Sequence, residues 1–360
     1  MTPGPRLTTR DQAEIFVGVD SSDCSRIALG WAAGLARRLG YRLHVVEAWE
    51  YPRDTVVRIG RVELPSPEHA DALLLRHLQG LVAEVVRDTP AVISSGAIEV
   101  GAARHEPGDG LDHGDGTDAG DRLVATATAT VTDTTLRPDD ATEVATGGGL
   151  EITIDVLRGP ASEALLHAAD DRARMIVVGS RGLGGFRGLL LGSVSRQLCE
   201  HAPCPVTVVR NCVTGADFRL NTIAVGVDGS VNAQRAVRFA AELAEGTGAY
   251  VVAVHAAAPG TAIDDPVDGP AAAHPTLTQL LEGWCAPLER RGLDDHDLVV
   301  AEGDPRTALL DIAEERGADL IVVGSRGLGP VSKLVLGSVA SSLIHQSPVP
   351  VTVVPPTTTS

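Results

Sequence analysis

Short, unbroken apolar runs alternate along the chain with longer segments of helical period. The first run, 15–20, reads Ile-Phe-Val-Gly-Val-Asp and predicts a buried parallel strand ending in a carboxylate. Apolar residues then recur at Ile27, Trp31, Leu35 and Leu39, which predicts a helix capped by Ser21 or Ser22 and stopped by Gly40. Strand 42–49 and helix 67–86 follow. After a break come strand 150–156, helix 161–172, strand 175–178, a glycine loop, helix 193–200 and strand 205–209. The same order returns as strand 222–228, helix 232–247, strand 250–255, helix 276–291, strand 298–301, a helix ending near 316, strand 319–323, a second glycine loop, a helix from 338 and strand 350–354. Crossovers this long imply parallel sheets with helices on both faces. The chain therefore reads as two tandem doubly wound α/β domains of Rossmann-like type, spanning 14–210 and 221–356 behind a disordered lead at 1–13. Ligands on such sheets sit outside the carboxyl ends of the strands.

Spacing shows where the halves differ. Asp20 to Gly179 is 159 residues, whereas Asp228 to Gly324 is 96. The excess of 63 matches a stretch at 88–149, rich in Gly, Asp, Thr and Ala, that interrupts the first half. That stretch carries 12 acidic and 3 basic residues and reads as an acidic, disordered linker. Its spaced aspartates at 109–121 fit no EF-hand and only loosely match Gly-Asp β-helix repeats. Residues 123–131 have the β-propensity of an edge strand or hairpin. The turn after the third strand also differs: Gly159-Pro160 reads as one residue shorter than Gly303-Asp304-Pro305.

Composition narrows the class. With 44% hydrophobic but only 3% aromatic residues, the cores must be built from Val, Leu, Ile and Ala. No apolar run reaches membrane-spanning length, and residues 1–14 lack the pattern of a secretory leader, so a cytoplasmic location is expected. A net charge of −17 argues against general nucleic-acid binding, and no membrane partner is expected. The five cysteines, Cys24, Cys199, Cys204, Cys212 and Cys285, form no C-x-x-C pair and read as incidental free thiols.

The candidate chemistry lies in the glycine loops. Gly179, Gly182 and Gly192-Ser193 share one spacing with Gly324, Gly327 and Gly337-Ser338: two residues, then nine. Each loop joins an apolar strand to a helix that starts at the Gly-Ser pair. Such loops turn backbone N–H groups toward an anion, and the helix N-terminus adds its positive dipole end. Arg181 and Arg326 sit inside the loops, where they can neutralise phosphate or stay solvated. Asp20 and Asp228 can cap their helices or accept from a ligand. Ser193 and Ser338 can cap helices or contact phosphate. His44 and His255 read as packed, hydrogen-bonded core residues. No nucleophile–base pairing and no P-loop lysine is evident.

On these residues the chain resembles the universal stress protein family in its tandem form, over 14–87, 150–210 and 221–356. Gly-x2-Gly-x9-Gly-Ser is that family's ATP-binding signature, and both copies fit it. The resemblance implies an adenine-nucleotide α-hydrolase-like fold that binds ATP with Mg²⁺. It places Asp20 and Asp228 beside adenine and ribose, and Ala48 and Ala256 as backbone contacts to adenine. Gly179, Gly182, Gly192 and Ser193 would hold ribose and phosphates in the first half, and Gly324, Gly327, Gly337 and Ser338 in the second. It implies a stress-response regulator, an internal pseudo-dimer through strands 205–209 and 350–354, no catalytic residues, and at most slow hydrolysis. A homodimer of the chain stays open. So do two other functions: an interaction module with vestigial nucleotide binding, and an ATP-hydrolysing or nucleotidyl-transfer enzyme. A His-x-Gly-His at the first helix start would mark the latter, and the segment here is Asp20-Ser21-Ser22-Asp23. The compact second half is the better candidate site.

Overall fold

The structure, a computed structural model, describes residues 13–50, 67–87, 92–94, 125–132, 150–169, 172–182, 191–210, 218–261, 276–328 and 336–356. The lead, most of the acidic stretch with its spaced aspartates, the loop tips at 183–190 and 329–335, and Cys212 lie outside them. In chain order the first half contains β1 (Glu14–Val19), α1 (Asp23–Leu39), β2 (Arg42–Trp49), α2 (Pro67–Arg87), β3 (Val92–Ser94), β4 (Ala125–Thr132), β5 (Glu151–Arg158), α3 (Ala161–Ala168), β6 (Ala173–Gly179), α4 (Ser193–His201) and β7 (Val206–Val209). The second half contains β8 (Thr222–Gly226), α5 (Val231–Thr247), β9 (Tyr250–Ala257), α6 (Leu277–Glu289), β10 (His296–Glu302), α7 (Pro305–Glu315), β11 (Leu320–Gly324), α8 (Ser338–Gln346) and β12 (Val351–Val354).

The twelve strands among the described residues form one sheet, ordered β10-β9-β8-β11-β12-β7-β6-β1-β2-β5-β4-β3. Within each half, the repeated strands pair in parallel, in the order expected of a doubly wound fold. Period-two alternation along each strand feeds two cores. Ile15, Val17 and Val19 face α1 and α2, while Phe16 faces the side of α3 and α4. Ser22 caps α1 by accepting from Ser25 N, and Gly40 ends the helix with φ of 69°. Of the two cap candidates, Ser21 lies one residue further out, with a φ of 63°.

The acidic stretch corrects the expectation of a plain linker. Its two described segments are strands: β4 pairs antiparallel with β5, and β3 pairs antiparallel with β4. The alternating Ala-Thr sequence of β4 supplies β-formers at every second position, so the strand expected at 123–131 is present, but between β5 and β3 and not at the sheet's edge. The helix expected at 161–172 is also shorter, ending at Ala168.

The halves meet at β7 and β12, which pair antiparallel with Thr207 opposite Thr352. The two threonine hydroxyls are buried and 2.7 Å apart. Arg38 donates to Thr247 O at 2.7 Å, and Arg174 pairs with Glu242. Phe218, from the connecting segment, packs on Trp31 edge to face at 5.9 Å and lies against Gly34, where an added Cβ would overlap its ring. Gly34→Val should therefore destabilise the chain by about 1–3 kcal/mol through overpacking. Adding Phe218→Ala should recover part of that loss in urea unfolding. Strictly additive losses would mean the ring is not what Gly34 makes room for.

Candidate functional site

Each half has a cavity at the carboxyl ends of its parallel strands. The first holds about 350 Å³ and the second about 550 Å³. Both fall in the range of small-molecule sites. The first is lined by Asp20, Ala48, Gly179, Gly182, Gly192 and Ser193. The second is lined by Asp228, Ala256, Gly324, Gly327, Gly337 and Ser338. All twelve residues singled out in the sequence thus come together, six around each cavity. Arg181 and Arg326 line them as well.

The strand-end aspartates are held in place before any ligand arrives. Asp20 Oδ1 accepts from Ser22 N at 3.2 Å and from Ser22 Oγ at 2.6 Å. Asp228 Oδ1 accepts from Ser230 N at 2.9 Å, and its Oδ2 accepts from Leu328 N in the glycine loop at 3.2 Å. The serines are the helix caps in both halves, and the aspartates brace them. Gly182 and Gly327 run so close to these carboxylates that an added Cβ would overlap Asp20 Oδ2 or Asp228 Oδ2.

At the loop end, Gly192 N bonds Ser180 O at 2.8 Å and Gly337 N bonds Ser325 O at 2.7 Å. The N-caps of α4 and α8 are Gly192 and Gly337, neither with a side-chain cap. Ser193 and Ser338 are therefore the first helical residues and not caps. The uncapped N-termini leave amide donors at the cavity wall, which is the chemistry of an anion cradle. The other walls are apolar: Val46 and Leu165 in the first cavity, Val254 and Leu309 in the second. A flat apolar group can be enclosed there while an anionic group meets the loop.

The turn after the third strand is not shortened. Gly159 and Gly303 both have positive φ, 127° and 107°, and both lie six residues before a lining leucine, Leu165 or Leu309. The proline has moved by one position. Pro160 stands at the helix cap without a side-chain bond, where Asp304 accepts from Arg306 N at 2.9 Å. The apparent deletion is a lost cap.

Glu47 and the Ser21–His77 pair escaped the sequence reading, whereas His255 is packed and hydrogen-bonded as expected. Glu47 and His255 occupy the same place in the two halves, each directly before the lining alanine. His255 Nδ1 bonds Val227 O at 2.8 Å and its ring packs on Trp284. Glu47 is 7% exposed, and its Oε2 has no hydrogen-bond partner among the described residues. Burial, with the Asp20 carboxylate beside it, pushes the Glu47 carboxyl up to about 7. A constant offset of 208 residues, the spacing of Asp20 and Asp228, would have paired these two positions. Ser21 Oγ lies 3.0 Å from His77 Nε2, an exposed serine–histidine contact where no such pairing was expected.

His44 is a packed core residue as expected. It bonds Asp155 at 2.6 Å and Glu14 at 3.4 Å, and stacks on Phe16. Burial opposes its protonation, but the bonds to Asp155 and Glu14 outweigh that and raise its pKa. Cys199, Cys204 and Cys285 are buried free thiols, pushed up to about 12 by burial, which makes them poor nucleophiles. Among the described residues no group of His, Cys, Asp and Glu could hold a metal, and no helix is long and apolar enough to cross a membrane.

The family model described as universal stress protein family matches residues 13–210 and again 220–355. The chain belongs to the universal stress protein family. It is 34% identical over 188 residues to a universal stress protein of Mycobacterium tuberculosis, covering 51% of this chain and 62% of that one. A universal stress protein of Mycolicibacterium smegmatis is 32% identical over 214 residues, covering 58% and 70%. The match thus spans less than two-thirds of the M. tuberculosis relative's length. The crystal structure of a universal stress protein from Archaeoglobus fulgidus superposes with a TM-score of 0.58 at 19% identity, covering 96% of this chain and 99% of that one. That likeness shows a shared fold.

The raised Glu47 has a stability consequence. Its folded pKa lies above the unfolded value of 4.5, so folding is penalised as pH rises from 4.5 to about 7, and fully above that. Glu47→Gln removes the penalty. Relative to wild type, the variant should gain about 1–3 kcal/mol in unfolding free energy between pH 5 and pH 8. A difference that stays flat with pH would contradict this.

Proposed function

We propose that the chain binds adenine nucleotide, ATP with Mg²⁺, in both cavities and acts as a nucleotide-dependent regulator in a cytoplasmic stress response. The observation that carries this reading is the paired construction of the cavities. In each, a braced strand-end aspartate faces, across an apolar gap, an uncapped Gly-Ser helix N-terminus. Asp20 and Asp228 would accept from ribose hydroxyls or the adenine amine. The backbone at Ala48 and Ala256 would meet the base. Gly179, Gly182, Gly192 and Ser193, and Gly324, Gly327, Gly337 and Ser338, would hold ribose and phosphates. The donor set suits this ligand, because backbone amides and, among the described lining residues, Arg181 in the first cavity and Arg326 in the second complement phosphate. Mg²⁺ would ride on the phosphates.

Asp20 and Asp228 are the only acidic lining residues among those described, and backbone amides already engage them. No second carboxylate or histidine of the lining is placed to activate water, which supports slow hydrolysis at most. The units 14–210 and 221–356 would form an internal pseudo-dimer through β7 and β12, a reading supported by the Thr207–Thr352 bond. The larger second cavity supports it as the stronger site.

The test uses the glycines beside the aspartates. Neither has positive φ, so alanine strains no backbone, yet its Cβ displaces the carboxylate. In equilibrium titrations with ATP, Gly182→Ala and Gly327→Ala should each weaken one class of sites about tenfold, the loss of one hydrogen bond to a charged group. Unchanged ATP binding in both variants, or no binding by wild type at millimolar ATP, would overturn the reading.

A further inference from the structure

The turn from β1 into α1 carries a serine under backbone strain. Ser21 has a φ of 63°, and among the described residues it is the only one other than glycine with a positive φ. A side chain is disfavoured there, and strain of this kind gathers where a group is held up for chemistry. A serine on a strained turn from a parallel strand into a helix is one way of presenting a nucleophile above an α/β sheet. Ser21 Oγ lies 3.0 Å from His77 Nε2 on α2, which is hydrogen-bond reach for a nucleophile and its base. With the imidazole proton on Nδ1, the serine hydroxyl donates to Nε2. His77 is exposed and Ser21 half-buried, so the pair is open to solvent. Neither residue is among those lining the first cavity, so the pair stands apart from the nucleotide reading.

The second half keeps the frame and lacks this chemistry. Gly229 stands where Ser21 does, 208 residues on, with a φ of 81°. Against it, from the second helix of that half, lies Trp284, whose ring an added Cβ would overlap. The turn favours glycine and has it in one half. In the other it holds a hydroxyl under strain, with an imidazole against it. Helix capping does not account for that hydroxyl, because the cap of α1 is Ser22, which accepts from Ser25 N. The surrounding charges select the substrate. Asp20 precedes Ser21, and Asp23 opens α1. Carboxylates this close repel an anionic donor and leave a neutral carbonyl compound as the suitable one. The N–H groups of Asp23 and Cys24, at the first two positions of α1, have no acceptor within the helix, and with the dipole they favour negative charge developing on an acyl oxygen.

We infer that Ser21 and His77 form a nucleophile–base pair that takes acyl groups from small neutral esters. Ser21 Oγ attacks the carbonyl carbon while His77 Nε2 takes the hydroxyl proton. The bond from that carbon to the leaving oxygen breaks, and His77 returns the proton to the departing alkoxide. Water then attacks the acyl-serine by the same route and releases the carboxylic acid and free Ser21. The sequence consumes one ester and one water and needs no oxidant, reductant or cofactor.

The experiment incubates the full chain with a neutral alkyl fluorophosphonate, in which the serine oxygen displaces fluoride from phosphorus, and locates the adduct by peptide mass spectrometry. Labelling of Ser21 is expected. Two variants separate chemistry from packing. Ser21→Gly gives the turn the residue that the second half has there, so the chain should still fold, while labelling of this peptide disappears and hydrolysis of p-nitrophenyl acetate falls. His77→Gln keeps a hydrogen-bonding side chain against Ser21 but cannot take up the proton. It should label about a hundredfold more slowly at an unchanged melting temperature. If the contact only ties α2 to the turn, His77→Gln will instead lower the melting temperature and leave the labelling rate as it was. That result, or an unlabelled Ser21 in the wild-type chain, would overturn the inference, and neither bears on nucleotide binding.

Discussion

In each half, the first helix packs against the end of the fourth repeated strand with no room for a side chain. A Cβ on Gly179 would overlap the backbone carbonyl of Cys24, and one on Gly324 would overlap that of Asn232. Everything at the site depends on this close approach. It fixes the helix N-terminus beside the base of the glycine loop, and so sets the strand-end aspartate within reach of the loop's amides. The Leu328 N to Asp228 Oδ2 bond is a direct result. Backbone meeting backbone also explains why the site is assembled from amides and small residues and needs few charged side chains, in a chain of net charge −17.

The same sheet that positions the sites joins them. The last strand of each half anchors its own loop through the Ser180–Val209 and Ser325–Val354 bonds, and pairs with its counterpart across the molecule. The frame is symmetric, and differences accumulate around it. Glu47 stands where His255 does, Pro160 where Asp304 does, and Arg210 where Pro355 does. The strand edge at β5 is covered by β4, whereas β10 remains an edge. A duplicated scaffold holds two cavities of unequal size.

Much of this was legible in the sequence because it rests on local rules. Unbroken Val and Ile runs can only be buried strands, and glycines at a fixed spacing mark close backbone approach. That spacing marked eight of the residues that line the two cavities; the strand ends marked Asp20 and Asp228, and Ala48 and Ala256 came from the family resemblance. What was not legible depends on pairing between distant segments. Composition marked 88–149 as linker, but the register of β4 against β5 is a tertiary contact that acidity does not reveal. The Ser21–His77 contact joins residues 56 apart and needs the α1–α2 packing to appear. The shift of proline at Gly159-Pro160 looked like a deletion because proline was taken as the landmark, whereas the positive-φ glycine fixes the turn. Glu47 was read as part of a strand, since desolvation is a property of the fold and not of the residue.

The central claim is that one chain carries two adenine-nucleotide cavities built on one plan. Native mass spectrometry of the purified full chain with increasing ATP tests it most directly. The account predicts two successive nucleotide adducts per chain, the second of which needs about tenfold more ATP in either Gly182→Ala or Gly327→Ala. A maximum of zero adducts, or two adducts that form at unchanged ATP concentration in the double variant, would contradict it.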